Sequence, residues 1–172
     1  MNPMPNLREA PFAGDDGGRS ESLSAALIDF QREAETGFLP VIAALQDARV
    51  LVPVVAILGE IEYDENGLAR DKSSEMAAVS ITGQDGRSAL LAFTCTESLA
   101  EWDPKARPVP VTFRQAAQAA IHDGADAVLV DISSARVAID GDLLKNLAVG
   151  HQLVKAGNDW AWLVGQRTDE VE

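Results

Sequence analysis

Cysteine and histidine are scarce in this chain, and their scarcity excludes several kinds of site. Cys95 is the single cysteine of the 172 residues, so the chain can form neither an internal disulfide nor a cysteine metal cluster. His122 and His151 are the only histidines, and they do not form an HxxxH or HxH pair. No glycine-rich nucleotide-binding loop follows a predicted strand. The sequence therefore predicts no metal site and no bound cofactor.

Positive charge is also in short supply. The chain has 14 Lys and Arg residues and 27 Asp and Glu residues, which gives a formal net charge of −13. Nucleic acids and anionic membranes are bound chiefly through cationic side chains, so neither is predicted as a partner. The acidity favours solubility and self-repulsion. A basic protein partner is the alternative explanation.

Long apolar runs are missing as well. No stretch approaches the roughly 20 apolar residues that span a bilayer. The start of the chain, "MNPMPNLREA", has no basic segment followed by an apolar run, so it does not read as a signal peptide. The sequence predicts a soluble cytoplasmic protein.

Composition and the positions of proline and glycine divide the chain into three parts. Residues 1–20 contain three prolines and the run "GDDGG", and they predict a disordered N-terminal arm. Residues 21–165 carry the periodic apolar patterns of a single domain. Residues 166–172, "QRTDEVE", read as an acidic C-terminal tail.

The order of strand and helix patterns predicts an α+β fold. "RVLVPVVAILGEIEY", "MAAVSIT" and "RSALLAFT" form an antiparallel meander, with a hairpin at "GQDG". Residues 109–131 follow as a β–α–β unit, in which Thr112 and Gln115 have capping-box spacing and strand 109–111 lies parallel to strand 127–131. "WAWLV" predicts a further strand with Trp160 and Trp162 on one side. The prediction is a mixed sheet of about five or six strands with helices packed on its faces.

Two loops place cations in this acidic chain, and they are the predicted binding site. They are "ARDKSSEM" (69–76) and "WDPKARPVP" (102–110). Tryptophan and arginine are enriched where proteins bind partners. The candidate binding residues are Lys72, Glu75, Trp102, Asp103, Lys105 and Arg107. In the alternative interpretation, Trp102 packs beneath its own loop and the cations pair with nearby acids. The prolines make the second loop a stiff connector in either case.

No catalytic residue is predicted. Cys95 stands at a strand-to-helix junction, where a helix N-terminus can lower a thiol pKa. As a nucleophile it would need His122 or His151 as its base. A free cysteine is more often a small buried hydrophobe. The serines lie in no GxSxG or SxxK context.

Several stretches together resemble a known family. "ARVLVPVVAILGE", "DKSSEMAAVSITGQDGRSALLAFTCTESLAEWDPKARPVPVTFRQAAQAAIHDGADAVLVD" and "LLKNLAVG" are similar to the SseB N-terminal domain family, the "enhanced serine sensitivity" proteins, in its actinobacterial form. The resemblance covers about residues 49–149. It implies a cytosolic α/β-type domain without an established catalytic residue. Cys95 departs from the family, in which a serine is expected there.

These observations lead to three functional hypotheses. The first is a non-enzymatic domain that binds a protein partner or a small ligand through the two loops. The second is an enzyme or regulator acting on a small amino acid such as serine, whose carboxylate Lys72, Lys105 and Arg107 would hold. The third is a structural homo-oligomer joined through an exposed strand edge.

Overall fold

A computed structural model describes residues 12–57, 62–63, 65–70 and 75–165 of the chain. The described α-helices are α1 Glu21–Arg32, α2 Ala34–Leu45, α3 Thr96–Trp102, α4 Phe113–His122 and α5 Gly141–Val149. The described strands are β1 Arg49–Ile57, β2 Glu62–Tyr63, β3 Ala69–Arg70, β4 Glu75–Ala78, β5 Ser80–Thr82, β6 Ser88–Ala92, β7 Arg107–Thr112, β8 Ala127–Val130, β9 Val137–Asp140, β10 Gln152–Ala156 and β11 Asp159–Leu163. None of the described helices has the length and apolar content that crossing a membrane requires.

Two sheets form the centre of the fold, and they confirm the predicted α+β class. The first has the order β4–β1–β7 and is antiparallel throughout. The second has the mixed order β5–β6–β8–β9, in which only β6 and β8 are parallel. The predicted meander is present, because β1 pairs with β4 and β5 pairs with β6.

Pro53 lies where the chain passes from one sheet to the other. Residues 75–82 pair first with β1 and then, beyond Val79, with β6. The Val79 amide donates to the Pro53 carbonyl at 2.9 Å. Pro53 has no N–H to return that bond, and the Val79 carbonyl instead accepts from the Leu91 amide at 3.0 Å. Because Pro53 has no amide hydrogen, the Val79 carbonyl can accept a hydrogen bond from β6 while the Val79 amide donates to β1.

The predicted pairing of strand 109–111 with strand 127–131 is wrong. β7 pairs antiparallel with β1, and the parallel neighbour of β8 is β6. The crossover between parallel strands therefore runs from β6 through α3, β7 and α4 to β8. The capping box that begins α4 is as predicted, with Gln115 N donating to Thr112 Oγ1 and Thr112 N donating to Gln115 Oε1.

The helices bury their apolar faces against the two sheets in one main core. Its fully buried members include Val41, Ile42, Phe113, Val128 and Ile139. A smaller core on the other face of the sheets contains Leu51, Leu91, Phe93 and Leu99. The C-terminal hairpin β10–β11 closes the main core, since Trp160 and Trp162 pack on it from one side as predicted.

Residues 12–20 differ from the predicted disordered arm. Arg49 binds this segment through Asp15, whose Oδ2 lies 2.6 Å from Arg49 Nε. Arg19 Nε donates to Thr94 Oγ1 at 2.8 Å. The sequence of this segment, rich in glycine and aspartate, gives no sign of these long-range contacts. Residues 1–11 and the predicted tail 166–172 lie outside the described residues.

A buried carboxylate, Asp131, joins the ends of β6 and β8. Asp131 is fully buried and follows β8 directly. Its Oδ1 accepts from the Thr94 amide and from Ser98 Oγ, both at 2.8 Å, and its Oδ2 accepts from Thr94 Oγ1 at 2.6 Å. Arg19 Nη2 lies 3.6 Å from Oδ2. One side chain thereby holds the end of β6, the start of α3 and the N-terminal segment together.

The outer edge of β7 offers no backbone donor. The bond from Phe113 N to Ala48 O fixes the alternation of the ladder, so residues 108, 110 and 112 direct their amide positions away from β1. Two of these residues are Pro108 and Pro110, and the third, Thr112, donates to Gln115. The prolines thus leave the β1 ladder intact and protect the exposed edge.

We expect Asp131→Ala to lower the free energy of unfolding by about 3–5 kcal/mol, because it removes the common acceptor of a buried polar cluster. Urea denaturation followed by circular dichroism measures this loss. Asp29→Ala, on the exposed side of α1, is the matched control and should leave the midpoint almost unchanged. A loss no larger than that of the control would contradict the role given to Asp131.

We expect the double variant Pro108→Val, Pro110→Val to self-associate, because it restores two outward amide donors on an exposed strand. Light scattering coupled to size exclusion over a concentration series measures the apparent mass. Pro104→Ala, in the turn before β7, serves as the control that removes a proline without adding an edge donor. A double variant with the same mass as wild type at every concentration would show that the prolines do not protect this edge.

Candidate functional site

The connector between α3 and β7 lies over the outer half of β1 and borders a small open cavity. The cavity measures about 250 Å³. It is lined by residues from β1, from the Val79 crossing point and from the connector: Pro53, Val54, Val55, Ala56, Val79, Trp102, Asp103, Lys105, Ala106 and Arg107. Four of the six predicted binding residues therefore meet at one place, namely Trp102, Asp103, Lys105 and Arg107.

Trp102 and Asp103 give the connector its shape. The Trp102 ring packs on Phe93 with centroids 5.5 Å apart, and Trp102 is half-buried against the smaller core. Asp103 caps the end of α3, and its Oδ1 accepts from the Lys105 amide at 2.9 Å. Trp102 thus packs in part beneath its own loop, as the alternative interpretation expected, and in part lines the cavity.

Lys105 and Arg107 are the cations of the cavity, and both are exposed. Within the part of the chain that the structure describes, neither side chain has an ion-pair partner. The predicted alternative, in which these cations pair with nearby acids, therefore has no support from the described residues. These two exposed cations lie in a chain whose formal net charge is −13.

The other predicted loop is described only in part. Lys72 lies outside the described residues. The backbone of Glu75 pairs with Ile57 at the end of β1, so the start of β4 lies beside the outer end of β1. The structure therefore places one end of the 69–76 loop on the strand that lines the cavity, without describing the side chains of Lys72 and Glu75.

Apolar side chains extend the cavity along β1. Val55 lines the cavity, and Ile57 follows it on the same face of the strand. Each has 52% of its surface exposed. The outer end of this strand is therefore open to solvent. Together, Val55, Ile57, Trp102, Asp103, Lys105 and Arg107 are called the connector surface below.

A second polar constellation lies near the carboxyl ends of the parallel strands β6 and β8, where α/β folds often bind ligands. It surrounds Asp131 and borders a cavity of about 220 Å³ that Arg19, Cys95 and Ser98 also line. Its polar groups bond mainly to one another, since Arg19 Nη2 donates to Cys95 Sγ at 3.2 Å and Ser98 donates to Asp131. The sequence signal for this cluster was an aspartate directly after a buried strand, "AVLVD".

The arrangement around Cys95 does not contain the base that a cysteine nucleophile was expected to use. His122 and His151 both line a groove between α4 and α5, whereas Cys95 lines the Asp131 cavity. Cys95 is buried, as a structural cysteine is. Among the described residues, no three His, Cys, Asp or Glu side chains come close enough together to hold a metal ion.

Comparison with known proteins identifies the family. The sequence model of the SseB protein N-terminal domain matches residues 23–146. No curated protein and no solved structure is significantly similar to the chain. The matched region begins within α1 and ends within α5. It includes the connector surface, Asp131 with its partners Thr94 and Ser98, most of α1 and all of α2, whereas Arg19 precedes it. Since the match covers more than two thirds of the chain, the protein belongs to the SseB N-terminal domain family.

Proposed function

We propose that this SseB-type domain is a non-catalytic, cytoplasmic binding module that docks a protein partner through the connector surface. The observation that carries the proposal is the meeting of Trp102, Lys105 and Arg107 at one cavity. A half-buried tryptophan with an exposed arginine beside it is the combination enriched where binding energy concentrates.

The chemistry of the surface specifies the kind of partner. Lys105 and Arg107 favour a carboxylate, and the planar fork of an arginine binds a carboxylate through two parallel hydrogen bonds. Val55 and Ile57 favour apolar side chains next to that carboxylate, since burying apolar surface contributes about 25 cal/mol per Å². The proposed partner therefore presents an acidic residue flanked by apolar side chains.

The 69–76 loop belongs to the proposed surface on its position along the chain. Glu75 begins β4 opposite Ile57, at the exposed end of β1. Lys72 would add a third cation for the same carboxylate. This part of the proposal rests on chain connectivity and on residue type.

A non-catalytic role is supported by how the polar groups of the Asp131 cluster are used. The buried carboxylate accepts three hydrogen bonds from its own chain. Among the described residues, no buried side-chain nitrogen or oxygen is without a hydrogen-bond partner. Groups that are saturated in this way hold a fold together, whereas general acids and bases need access to the proton that they transfer.

We expect the double charge reversal Lys105→Glu, Arg107→Glu to weaken partner binding about tenfold or more, because a charged hydrogen bond contributes about 1.5–3 kcal/mol. Affinity capture of partners by the full chain, followed by titration of the recovered partner, measures the loss. Trp102 is left in place, since its contact with Phe93 belongs to the core.

The control for this experiment is the double variant Arg32→Glu, Lys155→Glu. It makes the same change in net charge at two other exposed positions, in α1 and β10. Circular dichroism verifies that both double variants are folded. An identical partner list and affinity for wild type and for Lys105→Glu, Arg107→Glu would contradict the proposed docking surface.

The second candidate is an enzyme or regulator that takes a small amino acid. The observation that favours it is the size of the connector cavity, about 250 Å³, which suits a ligand smaller than a drug-sized molecule. Lys105 and Arg107, with Lys72, would hold the ligand's carboxylate. The third candidate, a homo-oligomer, would have to use an edge other than β7, whose outward donors are absent.

Ligand-dependent thermal unfolding separates the first two candidates. A small amino acid at about 100 times its Kd would stabilise the chain by about 2.7 kcal/mol. For a domain of this size that is a rise in Tm of about 5–10 °C. Our proposal predicts no such rise with serine or any other proteinogenic amino acid. A rise that Lys105→Glu, Arg107→Glu abolishes would favour the second candidate.

A further inference from the structure

A wide groove between α4 and α5 lies apart from the connector surface. It has a volume of about 1140 Å³. Its lining comes from α4, from the second half of α5 and the turn after it, and from the end of the hairpin: Arg114, Gln118, Ile121, His122, Lys145, Ala148, Val149, Gly150, His151 and Gly165. None of the functional hypotheses above uses this groove.

The groove differs in charge from the rest of the molecule. Two permanent cations, Arg114 and Lys145, line it together with both histidines of the chain, and none of the described residues that line it is a carboxylate. The chain as a whole has a net charge of −13. Lys145 has an ion pair with Asp142 at 3.6 Å, but both side chains are largely exposed, and such pairs are weak. The groove is thus a cationic surface in an acidic protein.

Arg114 is held in place at one end of the groove. Its Nε and Nη2 donate to the carbonyls of Ala148 and Val149 at 3.3 and 3.4 Å. Gly150 has φ +86°, and a Cβ at that position would lie 2.8 Å from the guanidinium carbon. A side chain at position 150 would be strained by this backbone conformation, and its Cβ would displace the guanidinium. The two hydrogen bonds orient the guanidinium along the end of α5.

Apolar surface lies between the cations. Ile121 is 44% exposed and Val149 is 60% exposed. Leu163 and Val164, just before Gly165, are exposed as well. A ligand that matches the groove needs carboxylates with at least one apolar side chain among them.

We propose that this groove is the docking site of the chain's own segment 166–172. That segment, "QRTDEVE", contains the carboxylates of Asp169, Glu170 and Glu172, one cation, Arg167, and the apolar side chain of Val171, so its side chains carry a formal net charge of −2, three acids against one base. It follows directly on Gly165, which lines the groove. Charge complementarity and continuity of the chain both favour this segment over a separate partner. Its effective concentration at the groove is high because it is tethered there.

The segment is long enough to reach the cations. Arg114 and His122 are eight residues apart on α4, which is about 12 Å along a helix. Four extended residues beyond Gly165 span about 13–14 Å, so Asp169 can reach either end of the groove. The docked segment covers Ile121 and Val149 and neutralises Arg114 and Lys145. This interaction is independent of the proposed function of the connector surface.

Paramagnetic relaxation enhancement in the full chain tests the proposal. A nitroxide is attached to the Thr168→Cys variant, in which all three carboxylates remain, and Cys95→Ser in the same chain leaves a single thiol to label. Amides of Ile121, His122 and Val149 should be strongly broadened at low salt. The broadening should fall at least about twofold at 1 M salt, where the Debye length is about 3 Å.

Charge reversal separates docking from mere tethering. Lys145→Glu in the labelled chain should reduce the broadening of Ile121 and Val149 as strongly as salt does. Lys155→Glu, an equal change of charge in β10, should leave the broadening unchanged. The proposal would be overturned if neither high salt nor Lys145→Glu reduced the broadening. It would also be overturned if the amides of the groove showed no broadening. In a further experiment, chain that carries the nitroxide is mixed with isotope-labelled chain that has no nitroxide. If the broadening at the groove arises only between chains in this mixture, the segment docks on another copy and the proposal is overturned as well.

Discussion

The buried carboxylate of Asp131 is the interaction on which most of this structure depends. It accepts the Thr94 amide and the hydroxyls of Thr94 and Ser98, and it faces Arg19. Asp131 itself has φ +51°, a left-handed conformation that costs an L-residue about 1 kcal/mol or more. The hydrogen bonds offset that strain. They also bring the N-terminal segment, the end of β6 and the start of α3 to one point, from which α3 leads directly into the connector.

The connector surface depends on the fact that the two ends of β1 have different neighbours. The inner end of β1 meets β6 at the bridge between Leu51 and Phe93, and its outer end pairs with β4. Pro53 lies between these two parts and releases the Val79 carbonyl to β6. The outer end of β1 thereby extends beyond the core, and Val55 and Ile57 stay exposed. The connector lies against this extension, with Trp102 anchored on Phe93 and the two cations directed to solvent.

Local signals in the sequence predicted local structure well. The capping box at Thr112 and Gln115, the shared side of Trp160 and Trp162 and the family itself are all confirmed. Strand partners were harder, because the apolar pattern of 109–111 suits an edge strand of either sheet, and nothing in it distinguishes β1 from β8. Pro108 and Pro110 have no amide hydrogen, and their nitrogens point to the free edge of β7, away from β1. The Asp131 cluster joins residues as far apart in the sequence as 19 and 131. Local sequence patterns do not predict contacts between residues so far apart.

The Asp131 cluster holds the fold together, and the connector surface is the proposed binding site. Native-state hydrogen exchange of the Thr94 amide tests this assignment most directly, since that amide donates to Asp131 Oδ1. If the cluster locks the fold, the Thr94 amide exchanges only through global unfolding, with the same opening free energy as the Phe93 amide in the adjoining ladder. If Thr94 instead exchanges as fast as the amides of the exposed turn at Asp85, the cluster opens locally and its polar groups are accessible. That result would contradict the structural role of Asp131 and reopen the end of β6 as a candidate active site.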